Sequence, residues 1–366
     1  MYKFSGGGGL EEEPVFQKGL LPQPRGVRDM QPSIDEGTLG RVLGRYDLGG
    51  LYHVKGSGGG TANVNLVVVS PRGTFFLRRR HPRYSSPDQV IYEHALMRHL
   101  ADKGVGGPLP VETRDGQTAV CDGPDVYELQ HFVEGAAFDP ESAEQLRAAA
   151  RALAAFHAAL DDFAPPVPKA LPRYDDPASI LAGFTSLLPH ATPDEADGIR
   201  RVLDVAERLA ADFPNAAYDA LPHGIIHGDY HPANVLYRGD EVAGIFDLDW
   251  VSRQPRVRDL GDGITYFGGR RAASLDGADI YSLTQGIEYD IGRAGAFLDA
   301  YRESRQVAEA EVRAMPLVAL ARWLFAKVAG MRKVPEAERA AFALRDALTP
   351  VAWLEEHGDE LVDALL

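Results

Sequence analysis

Two short runs of this chain contain residues whose types and spacing suit phosphoryl transfer. The first run, HGDYHPANVL, has the carboxylate of Asp229 five residues before the amide of Asn234. The second run, IFDLDW, has Asp247 at the end of an apolar segment that is typical of a strand. Phosphoryl transfer needs a group that orients or deprotonates the attacking hydroxyl, oxygen ligands for Mg²⁺, and a cradle for the nucleotide phosphates. We therefore expect Asp229 to act on the hydroxyl, and Asn234 and Asp247 to bind magnesium.

Asp249 is a further carboxylate, two residues after Asp247. In an extended segment both side chains would point to the same side, so Asp249 is a candidate ligand of the metal or of its water shell. A structural turn residue is an equal alternative for this position.

The joint pattern of HGDYHPAN followed by IFDLD resembles the catalytic core of the small-molecule kinases that include aminoglycoside phosphotransferases, choline kinases and homoserine kinases, relatives of the protein kinases. This resemblance implies that Asp229 is the catalytic aspartate, that Asn234 is a metal ligand, and that Asp247 is the counterpart of the aspartate in Asp-Phe-Gly. It also implies ATP and Mg²⁺ as cofactors and a small-molecule hydroxyl as the acceptor. Protein kinases have glycine where this chain has Asp249, a departure that fits the small-molecule kinases better.

A glycine-rich segment, KGSGGGTAN, precedes two predicted strands at residues 65–69 and 74–80. Glycines such as Gly58 and Gly60 would let backbone N–H groups approach phosphates closely. Similar kinases carry a Gly-x-x-Asn at this point, which implies a cofactor-binding role for Gly60 and Asn63. A mobile turn without a ligand is the alternative.

The second of these strands carries Arg78 where similar kinases have the lysine that pairs with the nucleotide phosphates. Arginine keeps the charge but offers a planar fork, and Arg79 or Arg80 could share the role. A helix is predicted at residues 89–104, and its Glu93 is the expected ion-pair partner of Arg78, as in protein kinases. The alternative for Arg78 is a solvated basic strand end, and the alternative for Glu93 is a surface glutamate.

The strand VYELQHFVEG leads, in similar kinases, into the hinge whose backbone bonds the adenine edge. The resemblance therefore implies nucleotide contacts within residues Gln130 to Val133, among them Gln130, His131 and Phe132. Beyond Gly135 the chain becomes alanine-rich and helical, with a proline-rich connection at residues 165–177.

Other polar residues near the catalytic run are expected to support it. In the run RVRDLGDGITYF, Asp259 matches an Asp-Leu pair common in this group. We expect Asp259 to hold the catalytic loop through backbone N–H groups, and Asp262 to do similar work or to face the acceptor. His227 is expected to shape the loop, and His157, in the run LAAFHAAL, to pack without a chemical role.

These elements predict an α+β, two-lobed protein-kinase-like fold with ATP and Mg²⁺ between the lobes. A disordered tail is expected at residues 1–36, a small mixed-sheet N-lobe that binds nucleotide at residues 37–134, and a mainly helical C-lobe with the catalytic loop and acceptor site at residues 135–366.

Composition narrows the class of protein. The formal net charge of −15 without a basic stripe argues against a nucleic-acid partner. The single cysteine, Cys121, excludes an intrachain disulfide and favours the cytoplasm. No apolar run approaches the length of a membrane span, and the N-terminus lacks a signal-peptide pattern, so no membrane partner is expected. The oligomeric state stays open.

Alternatives remain for the reaction and for its acceptor. A zinc hydrolase using His227, Asp229 and His231 would leave the glycine-rich loop without a purpose. A nucleotide-binding pseudokinase is supported only by the arginine in place of lysine. Similarity favours a homoserine or sugar acceptor over an aminoglycoside, choline or ethanolamine. An aminoglycoside would suit acids near the C-terminus, although these are more typical of a solvated helix face; they are Glu355, Glu356, Asp359 and Glu360.

Overall fold

A computed structural model of the protein describes residues 34–50, 52–56, 63–273, 275–277 and 279–366. The predictions for Gly58, Gly60 and residues 1–33 lie outside these ranges. The nine strands of the described residues are, in chain order, β1 (His53–Gly56), β2 (Val64–Ser70), β3 (Gly73–Arg79), β4 (Val120–Asp122), β5 (Asp125–His131), β6 (His223–Ile226), β7 (Val235–Arg238), β8 (Glu241–Ile245) and β9 (Ser252–Pro255).

Twelve α-helices accompany these strands in the part of the chain that the structure describes. They are α1 (Glu36–Leu43), α2 (Pro87–Asp102), α3 (Ala143–Ala159), α4 (Pro177–Thr185), α5 (Pro193–Asp212), α6 (Asn215–Asp219), α7 (Val257–Gly263), α8 (Ile280–Leu283), α9 (Ile291–Arg302), α10 (Glu309–Gly330), α11 (Arg339–Leu344) and α12 (Thr349–Leu365).

The chain forms two compact units. The sheet unit contains the described residues up to Phe138 together with Asp162–Lys169 and Val235–Asp249. The helical unit contains Asp139–Asp161, Ala170–Asn234 and Trp250–Leu366. The division of the lobes at residue 134 stays a prediction, since these units are defined by internal contacts and are discontinuous in sequence.

The sheet unit is built on a five-stranded sheet with the order β1-β2-β3-β5-β4. Every pairing in it is antiparallel, whereas the sequence analysis expected a mixed sheet. The tight turn between β2 and β3 accounts for part of this, because only antiparallel neighbours can be joined so closely. The predicted strands around residues 65–69 and 74–80 and the helix around 89–104 are confirmed with shifts of one or two residues.

The core of the sheet unit forms between α1 and alternate residues of the sheet. Asp35 caps the N-terminus of α1 by accepting a hydrogen bond from the Thr38 N–H, which fixes where the helix begins. The buried apolar side chains of this core are Ile34, Leu39, Val42, Leu43, Tyr46, Leu48, Val68, Phe75, Leu77, Val120, Tyr127 and Leu129.

The helical unit packs α3 against α9, and α10 against α4, α7 and α12. By length and composition alone, Glu309–Lys333 could cross a membrane, which corrects the expectation that no apolar run is long enough. In the structure 67% of its apolar window is buried. We therefore describe α10 as the core helix of this unit, because a central helix surrounded by others is apolar on all sides.

Candidate active site

The predicted catalytic loop of the helical unit begins where β6 ends. Gly228 has φ of 79°, a left-handed conformation that side chains other than glycine seldom adopt. A Cβ atom there would lie 2.7 Å from the carbonyl oxygen of Trp250, so contact as well as conformation requires glycine. This glycine turns the chain immediately before Asp229.

Asp259 of α7 anchors this loop, as the sequence analysis predicted. Its Oδ2 accepts a hydrogen bond from the His227 N–H at 2.6 Å, and its Oδ1 accepts one from the Gly228 N–H at 2.8 Å. His157 Nε2 lies 2.9 Å from Asp259 Oδ2, and its Nδ1 lies 2.9 Å from the Tyr301 hydroxyl. Burial would raise the pKa of Asp259, but the hydrogen bond and charge of His157 bring it below its usual value. The anchor is therefore an ionised carboxylate held by three donors.

Further bonds brace the same loop from other elements. The Tyr230 hydroxyl donates to the carbonyl of Ala149 on α3 at 2.7 Å, and Arg258 Nη2 donates to the Gly228 carbonyl at 3.1 Å. His227 shapes the loop as expected, since its Nδ1 accepts the Asp229 N–H at 3.3 Å. The loop is thus fixed on both sides of Asp229.

The side chain of Asp229 is 30% exposed, although its neighbours are nearly buried. His231 Nε2 lies 3.4 Å from its Oδ2, and Arg322 Nη2 lies 3.4 Å from its Oδ1. Burial would raise the pKa of Asp229, but the charge and hydrogen bond of His231 and the charge of Arg322 hold it well below the usual value. Asp229 is therefore an ionised carboxylate that suits orientation and electrostatic stabilisation of a hydroxyl better than strong basicity.

Asn234 closes the loop by hydrogen bonds to its own segment. Its backbone N–H donates to the His231 carbonyl at 2.9 Å, and its side-chain Nδ2 donates to the Asp229 carbonyl at 3.0 Å. Because these bonds use the amide nitrogens, the side-chain oxygen keeps its lone pairs, and oxygen is the atom that hard cations prefer.

Arg322 of α10 is a site residue that the sequence analysis missed. Its Nε donates to Asp262 Oδ1 at 2.9 Å, and its Nη2 donates to Asp262 Oδ2 at 3.1 Å. Burial raises the pKa of Asp262 to about 6, against the opposing charge of Arg322. The sequence offers no local signal for Arg322, because it lies 93 residues from Asp229 on a helix that also carries Arg313 and Lys327.

In the sheet unit, Asp247 follows β8 and has φ of 61°. This left-handed conformation is uncommon outside glycine, and such strained positions cluster at functional sites. Asp249 is buried, and its Oδ2 accepts a hydrogen bond from Asn63 Nδ2 at 3.3 Å. Asn63 Oδ1 in turn accepts from the His81 N–H at 2.8 Å. The Asn63 amide thereby links the end of β3 to the segment of the two aspartates, and the metal-binding roles of Asp247 and Asp249 stay predictions.

Arg78 points toward these aspartates without a close partner. Its Nη1 lies 3.8 Å from Asp249 Oδ1, and its Nε lies 3.9 Å from Glu128 Oε1. Nε is buried and makes no hydrogen bond with any residue in the described ranges. Burial would lower the pKa of Arg78, but Asp249, Asp247 and Glu128 raise it, so the guanidinium stays charged. An orphaned cationic donor of this kind fits an anionic ligand such as a phosphate.

Glu93 does not pair with Arg78, and that expectation was wrong. Its Oε2 accepts from Arg80 Nη2 at 2.5 Å, and its Oε1 accepts from Lys169 Nζ at 2.7 Å. Arg80 also donates to Glu128 at 2.9 Å. Arg78 and Arg80 share one side of the strand, since side chains alternate, and the deeper of the two takes the glutamates. Burial raises the pKa of Glu93, and the charges of Arg80 and Lys169 oppose that rise.

Lys169 was also missed from the sequence. Its ammonium, on a side chain that is 2% exposed, donates to the Asp249 carbonyl at 2.9 Å and approaches the Leu248 carbonyl at 3.4 Å. It therefore ties α2, through Glu93, to the segment of the aspartates. The proline-rich connection around it carries no motif that would have indicated this.

The expected hinge residues lie at the end of β5. The N–H of His131 donates to the Leu109 carbonyl at 2.9 Å, and that of Phe132 donates to the Thr74 carbonyl at 3.2 Å. The side chain of Gln130 donates to Glu128 at 2.9 Å and is buried. Among the described residues, the N–H of Val133 takes part in no hydrogen bond.

The acidic residues near the C-terminus lie on α12. Glu355 is 58% exposed and pairs with Arg208. Glu356 and Glu360 lie 3.8 and 3.4 Å from His357. Among the residues that the structure describes, no cluster of three or more His, Cys, Asp or Glu side chains is arranged for a metal such as zinc.

The chain is similar in sequence and in structure to known proteins. The model of the phosphotransferase enzyme family, APH, matches residues 53–294. A homoserine kinase of Rhodopseudomonas palustris (strain HaA2) is 31% identical over 307 residues, which cover 81% of this chain and 85% of that enzyme. A microcompartment-associated aminopropanol kinase has a similar structure, with a TM-score of 0.62 and 17% identity over 90% of this chain and 99% of that one. An amicoumacin kinase in complex with AMP-PNP and Ca²⁺ has a TM-score of 0.57 and 15% identity over 85% and 88% of the two chains.

These likenesses confirm the protein-kinase-like α+β fold that the sequence predicted. The acceptor of such an enzyme is a small molecule. The chain belongs to the phosphotransferase enzyme family and is an ATP-dependent small-molecule kinase that phosphorylates a hydroxyl group.

Proposed function

We propose that this kinase transfers the γ-phosphoryl group of ATP to the hydroxyl of homoserine or a close analogue. The observation that carries the proposal is the ionised, partly exposed carboxylate of Asp229 on a braced loop, in a chain that is about 30% identical to homoserine kinases over most of their length. A sugar acceptor is the second candidate from the sequence, and no contact in the described residues favours it.

The proposed roles follow the chemistry of each side chain. Asp229 orients the acceptor hydroxyl by accepting its hydrogen bond, and it receives the proton late, as the oxygen–phosphorus bond forms and the bond from phosphorus to ADP breaks. Asn234, through its side-chain oxygen, and Asp247 are the proposed ligands of Mg²⁺, with Asp249 as an outer contributor. Arg78 is the proposed phosphate-binding cation, supported by its unpartnered buried Nε. Glu93 supports this role indirectly, by fixing the neighbouring Arg80.

Bound Mg·ATP would supply the phosphoryl group and neutralise part of its charge during transfer. The residues present fit such a ligand, since the sheet unit offers an unsatisfied guanidinium and a carboxylate in a left-handed backbone conformation. Among the residues expected to contact adenine, the N–H of Val133 is the backbone donor that we propose for the base, because those of His131 and Phe132 are already used.

Cell location and partners are proposed from composition. A net charge of −15 supports a small-molecule acceptor over nucleic acid. A single exposed cysteine, Cys121, supports the reducing cytoplasm.

Release of ADP from Mg·ATP by the purified protein tests the proposed function. The acceptor panel contains homoserine, hexoses, hexosamines, methylthioribose, choline, ethanolamine and aminoglycosides. We expect turnover with homoserine, and a fall of about 10²- to 10⁴-fold in Asp229→Asn, the usual contribution of a positioned proton acceptor. Calorimetry on that variant is expected to show ATP binding close to that of the unaltered protein.

Asp240→Asn, in the exposed turn between β7 and β8, is the matched control and is expected to keep full activity. Turnover of a sugar or an aminoglycoside in place of homoserine would overturn the proposed acceptor. Full turnover by Asp229→Asn would overturn the proposed role of this carboxylate.

A further inference from the structure

Arg322 is an unusual residue for its position in the fold. It lies on α10, where its neighbours in sequence include the buried Ala321, Trp323 and Leu324. A charged side chain on such a helix needs compensation, because removing a charge from water is costly. Asp262 provides that compensation with two hydrogen bonds from one edge of the guanidinium. The ion pair therefore accounts for how the charge is tolerated, but not for why the helix carries one.

The unused part of the guanidinium lies beside the proposed catalytic carboxylate. Nη2 is 3.4 Å from Asp229 Oδ1, while Nη1 makes no hydrogen bond with any residue that the structure describes. Nη1 is also accessible to solvent, although the side chain as a whole is only 8% exposed. The accessible part of Arg322 is thus a donor group a few ångströms from Asp229.

The acceptor must bind beside the same carboxylate, that of Asp229. For transfer, its hydroxyl has to lie within hydrogen-bonding distance, about 3 Å, of the Asp229 carboxylate. The rest of a small acceptor then extends only a few bonds from that point, within reach of Nη1. Because Asp262 and Asp229 accept from Nε and Nη2, the guanidinium presents Nη1 as its free cationic donor, which suits a carboxylate better than a hydroxyl or an amine.

We propose that Arg322 is a specificity residue that binds the carboxylate of the acceptor, so that the substrate class is hydroxy acids of the homoserine type. This inference rests on the proposed function and adds the group that is recognised. Amino alcohols and aminoglycosides lack this anion and meet a permanent cation beside the hydroxyl-binding carboxylate, which disfavours their positive charge.

The test compares acceptors that differ only in the recognised group. The aminopropanol used is 3-aminopropan-1-ol, which is homoserine without its carboxylate. Gamma-hydroxybutyrate is homoserine without its ammonium group. For the unaltered protein we expect kcat/KM with homoserine to exceed that with aminopropanol by about 10- to 100-fold, the range of one charge-assisted hydrogen bond pair. Gamma-hydroxybutyrate is expected to be a better acceptor than aminopropanol.

Arg322→Gln is expected to lose this preference, because kcat/KM with homoserine falls much further than kcat/KM with aminopropanol. Arg322→Lys is expected to keep part of the preference, since it retains the charge without the fork. Arg313→Gln is the control, because Arg313 lies on the same helix, is 58% exposed and pairs with Glu309. If Arg322→Gln fails to fold because Asp262 is left unpaired, the double variant Arg322→Gln, Asp262→Asn removes both charges together and is measured instead.

Each result bears on one of the two proposals. Equal losses with every acceptor in Arg322→Gln would overturn carboxylate recognition and leave a supporting role. Homoserine turnover without preference over aminopropanol in the unaltered protein would also overturn it, with the proposed function intact. Turnover of sugars or aminoglycosides but not of homoserine would overturn the proposed function as well.

Discussion

Arg78 lies near the end of β3 and Arg80 directly follows that strand, yet their surroundings differ. Arg80 is enclosed and bonds to two buried carboxylates, those of Glu93 and Glu128. Arg78 lies no closer than 3.8 Å to any carboxylate in the described residues. We infer that Arg80 stabilises the sheet unit, whereas Arg78 is available to bind a ligand.

This difference predicts that substitution of Arg80 lowers stability, whereas substitution of Arg78 weakens ATP binding. Arg80→Met is expected to lower the free energy of unfolding by about 3–5 kcal/mol, because it leaves buried carboxylates uncompensated. Arg78→Met is expected to change stability little and to raise the Kd for ATP by about tenfold or more, the loss of one charge-assisted contact. Urea denaturation and calorimetry measure the two quantities.

The control for both variants is Arg72→Met. Arg72 forms an ion pair with Asp47 in which both side chains are more than half exposed, and pairs of that kind contribute about 0–1 kcal/mol. If Arg78→Met were the destabilising variant and Arg80→Met the one that binds ATP weakly, our assignment would be reversed.

Some contacts of single residues could be predicted from the sequence, and others could not. The anchoring role of Asp259 was predicted and confirmed, because the Asp-Leu pair follows the catalytic run at a recognisable spacing. The partners of Glu93 could not be read from spacing. Lys169 lies 76 residues from it in sequence, and only the folded chain determines which of three consecutive arginines turns inward.

Among the connecting elements, the segment Asp162–Lys169 has a role that its composition hides. Lys103 pairs with Asp162 at one end of it, and at the other end Lys169 bonds to Glu93 on α2 and to the Asp249 carbonyl. The first pair is exposed and the second is buried. The segment therefore joins α2 to the aspartate-containing turn through its buried end.

Lys169→Met is expected to destabilise the protein by about 3 kcal/mol, because Glu93 and a backbone carbonyl lose a buried donor while Arg80 still compensates part of the charge. We also expect weaker ATP binding, since the turn that carries Asp247 loses its tie to α2. Urea denaturation and calorimetric titration with Mg·ATP measure these effects.

Lys103→Met is the matched control, because Lys103 pairs with Asp162 at the other end of the segment. Its ion pair is 42% and 62% exposed on the two side chains, so little change is expected in either quantity. Equal behaviour of the two lysine variants would contradict the proposed tie.

Strands and helices with a clear period were predictable, as β2, β3 and α2 illustrate. The antiparallel order of the whole sheet was not, because the pairing of β3 with β5 depends on contacts across an intervening helix and strand. The short π-helical turn Ile264–Gly268 after α7 is likewise decided by packing and has no signature in the sequence.

The whole molecule combines segments that are far apart in the chain. Val235–Asp249 belongs to the sheet unit although it follows the catalytic loop directly. The sequence shows which residues are neighbours along the chain, whereas burial determines which segments form a compact unit. Composition alone therefore could not assign this hairpin to the sheet unit. The motif could be recognised nonetheless, because the spacing of Asp229, Asn234 and Asp247 is local.

The pH dependence of activity depends on the protonation of two carboxylates of the site, Asp229 and Asp262. The pKa of Asp229 is held below its usual value, so its protonation does not limit activity near neutrality. The pKa of Asp262 is raised to about 6, so this carboxylate is ionised at neutral pH and protonated below that value. Protonation removes the charge that holds one edge of Arg322 and leaves Asp229 as its nearest anion.

We therefore expect kcat/KM to fall as the pH drops through about 6, since Arg322 then competes with the acceptor hydroxyl for Asp229. The folded-state pKa of Asp262 lies above its ordinary value of 3.8, so folding favours its protonated form. Its contribution to the free energy of unfolding is therefore more favourable below pH 4 than above pH 6. Activity should thus decline on acidification while this group's contribution to stability increases.

Steady-state rates between pH 5 and pH 8 on the unaltered protein and on Asp262→Asn separate this effect from unfolding, with urea denaturation at both ends of the range. In Asp262→Asn the decline near pH 6 should disappear, and the rate at neutral pH should resemble that of the unaltered protein in acid. Because the amide cannot ionise, a decline near the same pH in this variant would assign the titration to another group. It would also break the proposed link between Asp262, Arg322 and Asp229.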